Sequence, residues 1–160
     1  MDTLLLDAMA TPVEIVREMK FATAHQLPYQ GYPGEAGTGK CTRLHGHTYV
    51  LQLGVRGPVR AVDENDPESG MVVDFERVKA MLKDIHDNDM DHHYANDTLD
   101  GVPTAERMLL RIALRLKEKF EDSLPDGVYI SFLRLYEEWV PPASYAEVRF
   151  KGRGWRVAEY

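Results

Sequence analysis

Apolar positions recur with two different periods along this chain. In HTYVLQLGVRG (47–57), Tyr49, Leu51, Leu53 and Val55 share one side of a strand with His45 and His47, while Thr48, Gln52 and Gly54 take the other. VEIVREMKFATAH, from Val13 to His25, is rich in β-branched and apolar residues and reads as a strand too. The period then lengthens. In DFERVKAMLKDIHDN, Val78, Met81, Leu82 and Ile85 stand at i, i+3, i+4 and i+7, an amphipathic helix that Asp74 is suited to cap. PTAERMLLRIALRLKEKFED predicts a second helix, with Pro103 in its first turn and Leu109, Ile112, Leu116 and Phe120 on one stripe. VYISFLRLYEE and YAEVRFKG return to strands, joined through the turn-forming VPPAS.

The remaining runs follow neither period. QLPYQGYPGEAGTGK, dense in Gly and Pro, is a long loop over 26–40, and PVRAVDENDPESG is acidic and exposed. DMDHHYANDTLDGV reads as a short polar stretch between the helices, and GRGWRVAEY gives weak signals. The order ββααββ predicts one α+β domain over residues 1–160, with 1–12 as an N-terminal extension. Both helices then cover one face of a four-stranded antiparallel sheet. Such a sheet leaves two edges open, and pairing between copies at those edges favours a homo-oligomer.

Composition narrows function by exclusion. A formal net charge of −7 argues against a general grip on nucleic-acid phosphates, though a locally basic pocket can still take an anionic small molecule. No stretch approaches the roughly 20 apolar residues of a membrane-spanning helix. The opening MDTLLLDAMA lacks the basic start of a secretory signal. One cysteine cannot close an intrachain disulfide, which fits a reducing cytosol.

The candidate chemistry lies in CTRLHGHTYV (41–50). Residues two apart on a strand share a face at a separation of about 6.6 Å, so His45 and His47 can aim both rings at one point. His25 supplies a third imidazole if the first two strands pair as a hairpin. Three histidines with a fourth position open are the pattern of a catalytic zinc, although other transition metals also accept imidazole. The plainer alternative is a set of surface or hydrogen-bonded core histidines. Cys41 has three readings here: a fourth ligand that closes the site, a thiol beside the metal, or a small buried apolar residue.

Further motifs accompany it. FATAH at 21–25, CTRLHGHTY at 41–49, GMVVDF at 70–75, MDHHYAND at 90–97, PTAE at 103–106 and YEEWVPPASY at 136–145 occur in this order. In them the chain resembles the family of 6-pyruvoyl-tetrahydropterin and 6-carboxy-tetrahydropterin synthases, from about residue 13 to 150. The resemblance implies the tunnelling fold, or T-fold. There, subunits join edge to edge into a barrel, often a hexamer of two trimers, with active sites between subunits. It implies that His25, His45 and His47 bind zinc and that Cys41 is an acid–base thiol outside the metal's ligands. Asp91 and His92 match a proton-relaying pair, and Glu137 matches the glutamate that anchors the pterin ring.

The implied substrate is 7,8-dihydroneopterin triphosphate. The gap in C-x-x-x-H-G-H is the shorter one of the carboxy enzymes. The expected products are therefore 6-carboxy-5,6,7,8-tetrahydropterin, acetaldehyde and triphosphate, on the route to queuosine and related deazapurines. The alternatives are the pyruvoyl reaction on the same substrate and a zinc-containing pterin-binding homologue without turnover. The chain departs from the family pattern in its long loop, at Ala95 where leucine is usual, and at Glu138 where threonine is usual. His93 is an extra titratable group beside His92, and Glu106 suits the positive end of the second helix.

Overall fold

The computed structural model describes residues 11–31, 34–141 and 143–156. The extension expected at 1–12 therefore lies, except for its last two residues, outside the described residues. Four strands form one sheet: β1 (Val13–His25), β2 (His45–Gly57), β3 (Tyr129–Glu138) and β4 (Ser144–Arg149). Their order is β1-β2-β3-β4 and every neighbouring pair is antiparallel. Between β2 and β3 come α1 (Phe75–Ile85), α2 (Ala95–Thr98) and α3 (Ala105–Phe120).

Alternation along the strands sorts the two sheet faces. Leu51, Leu53 and Val55 of β2 and Leu133 and Leu135 of β3 are buried against Val78, Met81, Leu82 and Ile85 of α1 and Leu109, Ile112 and Leu116 of α3. Each of these side chains contributes about 2 kcal/mol by leaving water, which fixes both long helices to one face. The other face carries polar cross-strand pairs, with Gln52 donating to Glu18 and Arg134 paired with Glu147, beside the apolar Val50 and Phe132.

Capping sets the helix starts. The Asp74 carboxylate accepts the Glu76 N–H at 2.9 Å, as its position suggested. At α3 the cap is Thr104, whose hydroxyl accepts the Arg107 N–H, so Pro103 stands one residue before the cap instead of in the first turn. A threonine hydroxyl satisfies a free helix N–H, which proline cannot do. Pro103 is left outside with its carbonyl turned toward His25.

The polar stretch after α1 holds more structure than its composition suggested. A π-turn, His86–Met90, ends with the Asp91 N–H donating to the His86 carbonyl at 2.8 Å. The chain then runs along the outer edge of β1. Ala22 N–H donates to Asp91 Oδ1 (2.9 Å), His92 N–H to the Ala22 carbonyl (2.7 Å) and Ala24 N–H to the His93 carbonyl (3.1 Å). The end of β1 is thus covered from within the chain. The open edges are β4 and the first part of β1, which corrects the expectation of two wholly open edges.

Candidate active site

The hairpin register brings the three histidines together. His25 sits opposite His45, and Thr23 opposite His47. Because 45 and 47 share a face, all three rings converge at one end of the β1–β2 pair. Ring centroids lie 4.4 Å (His25–His45), 5.2 Å (His25–His47) and 5.1 Å (His45–His47) apart. One nitrogen from each ring falls within 4.8 Å of the others, a group that could hold a metal ion.

Tautomers decide what those nitrogens offer. His25 Nδ1 lies 2.9 Å from the Pro103 carbonyl, and His45 Nδ1 lies 2.7 Å from the Arg43 carbonyl. A carbonyl oxygen only accepts, so each Nδ1 carries the hydrogen and each neutral ring presents a bare lone pair at Nε2. Those two Nε2 atoms are 3.0 Å apart. Two lone pairs at that distance cannot hydrogen-bond to each other, whereas a cation held between them would satisfy both. The third ring agrees, since His47 Nε2 is buried without a hydrogen-bond partner. Burial holds the His47 pKa below its usual value, against the opposing pull of Glu137, and so favours its neutral, ligating form. Carbonyls behind metal-ligating imidazoles are the usual means of fixing their orientation. The donor set therefore fits a transition metal.

Cys41 stands apart from this group. It occupies a 3₁₀ turn, Lys40–Thr42, and is half-buried. Its N–H donates to Gln30 Oε1 (2.8 Å) and its carbonyl accepts the Leu27 N–H (2.9 Å). Among the described residues, its sulfur is not in the cluster that the three imidazoles form. Cys41 is nonetheless near enough to Tyr49 for its charge to act on that phenol.

Glu137 faces the same centre from β3. Its Oε1 lies 3.7 Å from both His25 Nε2 and His47 Nε2, beyond hydrogen-bond range, and accepts the Tyr49 hydroxyl at 3.2 Å. Asp91 and His92 arrive from the other side. Asp91 Oδ2 is 2.6 Å from His92 Nδ1, and the backbone N–H of Ala22, followed by His92, holds the Asp91 carboxyl below its ordinary pKa. His92 has φ 58° and a largely exposed ring. With Ala22, Ala24, Gly46, His47 and Thr48 it lines a cleft of about 450 Å³, so His92 and one histidine of the cluster share a single opening.

Two side chains flagged in the sequence have simpler duties. His93 Nδ1 donates to the Asp91 carbonyl at 2.8 Å and so braces the turn. Glu106 sits in the first turn of α3. Sequence reasoning missed Tyr49 as a site residue, although its place two positions beyond His47 on one strand face was a usable signal. It also missed Gln30 and the carbonyls of Arg43 and Pro103, because a backbone oxygen leaves no mark in a sequence.

A four-stranded sheet with two long helices on one face and a cluster of three imidazoles at its hairpin end defines an α+β enzyme scaffold of the T-fold type. The chain belongs to the 6-pyruvoyl tetrahydropterin synthase family, whose model matches residues 14–149. It is similar to the 6-carboxy-5,6,7,8-tetrahydropterin synthase of Synechocystis sp., at 38% identity over 65% of this chain and 74% of that protein. The enzyme of the same name from Haemophilus influenzae is 30% identical over 84% of this chain and 96% of its own length. These relatives lie on the carboxy side that the C-x-x-x-H-G-H spacing indicated. Among solved structures, the 6-pyruvoyl tetrahydropterin synthase of Caenorhabditis elegans shares the fold with a TM-score of 0.67, at 24% identity, over 89% of this chain and 99% of that one. Among the described residues no helix is long and apolar enough to cross a membrane.

Proposed function

We propose that this chain is a zinc-dependent 6-carboxy-5,6,7,8-tetrahydropterin synthase. It converts 7,8-dihydroneopterin triphosphate to the carboxy-pterin with release of acetaldehyde and triphosphate, in the cytosol, as a step toward queuosine and related deazapurines. The observation that carries this reading is the convergence of three imidazole nitrogens, two of them turned inward by carbonyls, with the single cysteine's sulfur left outside.

His25, His45 and His47 would hold the zinc, which when bound supplies Lewis acidity toward the side-chain oxygens of the substrate. Cys41 takes and returns a proton at one side of the substrate carbon chain. His92, oriented through Nδ1 by Asp91, does the same at the other side. Glu137, fixed by the Tyr49 hydroxyl, accepts the paired N–H donors of the aminopyrimidinone edge and anchors the ring. Turnover therefore belongs to residues from four separate segments.

Assembly is part of the reading. One shared core supports a single domain over 1–160. Neither the 450 Å³ cleft nor the smaller cleft beside Glu137 is lined by lysine or arginine among the described residues, whereas a triphosphate needs cationic partners. A neighbouring copy joined at the open strand edges would supply them, in keeping with a hexamer of two trimers whose sites lie between subunits. Incubation of the zinc-loaded protein with 7,8-dihydroneopterin triphosphate, followed by mass spectrometry, tests the proposal. Carboxy-pterin with acetaldehyde is the expected result. Pyruvoyl-pterin would move the chain to the other branch, and binding without product would make it a non-catalytic homologue.

A further inference from the structure

We propose that Glu138 reads the exocyclic amine of the bound ring and so sets a preference for 2-amino-4-oxo over 2,4-dioxo pteridines. This inference rests on the pterin reading above. It begins with a break in strand alternation. Along β3, Leu133, Leu135 and Glu137 fall on the helix-covered side, and a regular strand would send Glu138 to the opposite face. The register shifts here: Tyr136 pairs with Tyr145 and Glu138 pairs with Ser144, which leaves Glu137 without an opposite residue. Such bulges re-aim the side chains around them. Consecutive carboxylates, Glu137 and Glu138, consequently line one cleft of about 320 Å³ together with Thr48, Trp139 and Val140.

The two carboxylates are differently engaged. Glu137 Oε1 already accepts the Tyr49 hydroxyl. Glu138 is exposed, and its one side-chain hydrogen bond among the described residues is with Ser144 Oγ at 3.5 Å, the outer limit of such a bond. No lysine or arginine among the described residues forms an ion pair with either of them. Adjacent carboxylates repel each other, and a ligand bearing several N–H groups relieves that repulsion.

An aminopyrimidinone edge has three such hydrogens: one on the ring nitrogen and two on the amine. A single carboxylate spans the ring N–H and the nearer amine hydrogen. The second amine hydrogen points away from that pair and needs another acceptor. Glu138 is the carboxylate adjoining Glu137 in the same cleft. A 2-oxo ring puts an oxygen lone pair where the amine hydrogens were, against both carboxylates, so Glu138 adds to a discrimination that Glu137 begins.

The test is a fluorescence titration of the zinc-loaded full chain with 2-amino-4-oxopteridine and with 2,4-dioxopteridine. Wild type is expected to prefer the amino ring at least about tenfold, the scale of a lost hydrogen bond to a charged group. Glu138→Gln and Glu138→Thr are both expected to shrink that preference by about threefold or more, leaving the share that Glu137 supplies, with bound zinc unchanged. A preference that is undiminished in both variants overturns the inference, and so does an equal loss for the two rings. Wild type that binds neither ring overturns the pterin reading itself, an outcome distinct from a failure confined to Glu138.

Discussion

Tyr49 donates its phenolic hydrogen to Glu137 Oε1 across 3.2 Å, tying the buried floor of β2 to the carboxylate that faces the histidines. Burial raises the Tyr49 pKa far above the usual phenol range, and the Glu137 charge reinforces the shift. The hydroxyl therefore keeps its hydrogen, and stays a donor, at neutral pH. Tyr49→Phe keeps the ring in a fully buried slot and deletes only that hydrogen bond. The expected outcome is a loss of about 1 kcal/mol in denaturant unfolding and several-fold weaker pterin binding, with zinc content unchanged. A variant that binds pterin as tightly as wild type would show that Glu137 needs no such brace.

Metal content separates the roles of the histidines and the cysteine. His45→Ala removes one of three converging donors, and elemental analysis of the purified variant should find bound zinc sharply reduced. Cys41→Ala touches no member of that cluster, so zinc should stay at the wild-type level while turnover is lost. Metal lost with the cysteine would mean the sulfur reaches the ion after all; metal retained without His45 would reject the site.

Much of this was legible because burial enforces periodicity. Leu51, Leu53 and Val55 alternate since one face of β2 meets the helices, and Val78, Met81, Leu82 and Ile85 repeat since one stripe of α1 meets the sheet. The H-x-H pair was visible for the same reason, and His25 followed once the strands were taken to pair. What escaped depends on partners that have no local signature. The course of Asp91–Tyr94 along β1 is set by backbone groups of Ala22 and Ala24. The bulge before Glu138 lies where consecutive polar residues give no apolar contrast to reveal a change of face. Pro103 was misplaced by two positions because proline and threonine compete for the same helix start, and the hydroxyl of Thr104 decides it.

Acid should expose the worth of Asp91. Its carboxyl is held below the ordinary value of 3.8 by the Ala22 N–H and by His92. A carboxyl whose folded pKa is depressed binds fewer protons folded than unfolded in the range between the two values. Its stabilisation is therefore complete above about pH 3.8 and is lost as pH falls through the folded pKa. Asp91→Asn cannot titrate there. Wild type should be the more stable protein at neutral pH, and the gap between the two, followed by urea unfolding, should narrow below pH 3.8. A gap that stays constant into acid would mean the carboxylate's charge contributes nothing to folding.

His92 raises the last prediction, because its backbone and its ring pull in opposite directions. At φ 58° a residue with a Cβ is strained by roughly 1–2 kcal/mol, a cost glycine does not carry. The strain is maintained by the His92 N–H bond to the Ala22 carbonyl and by the flanking bonds from Ala22 and Ala24 to the Asp91–His93 segment. It presents the imidazole at the mouth of the cleft with Nδ1 on Asp91. Replacing the residue with glycine keeps every backbone bond and deletes the ring. His92→Gly should thus be as stable as wild type or slightly more so, by up to about 1 kcal/mol, while turnover of the pterin triphosphate falls at least about a hundredfold for want of a proton acceptor. Stability comes from the melting curve and turnover from product formation in the same preparation. A variant that is both destabilised and fully active would show that the ring, not the backbone, holds this turn together, and that the proton passes elsewhere.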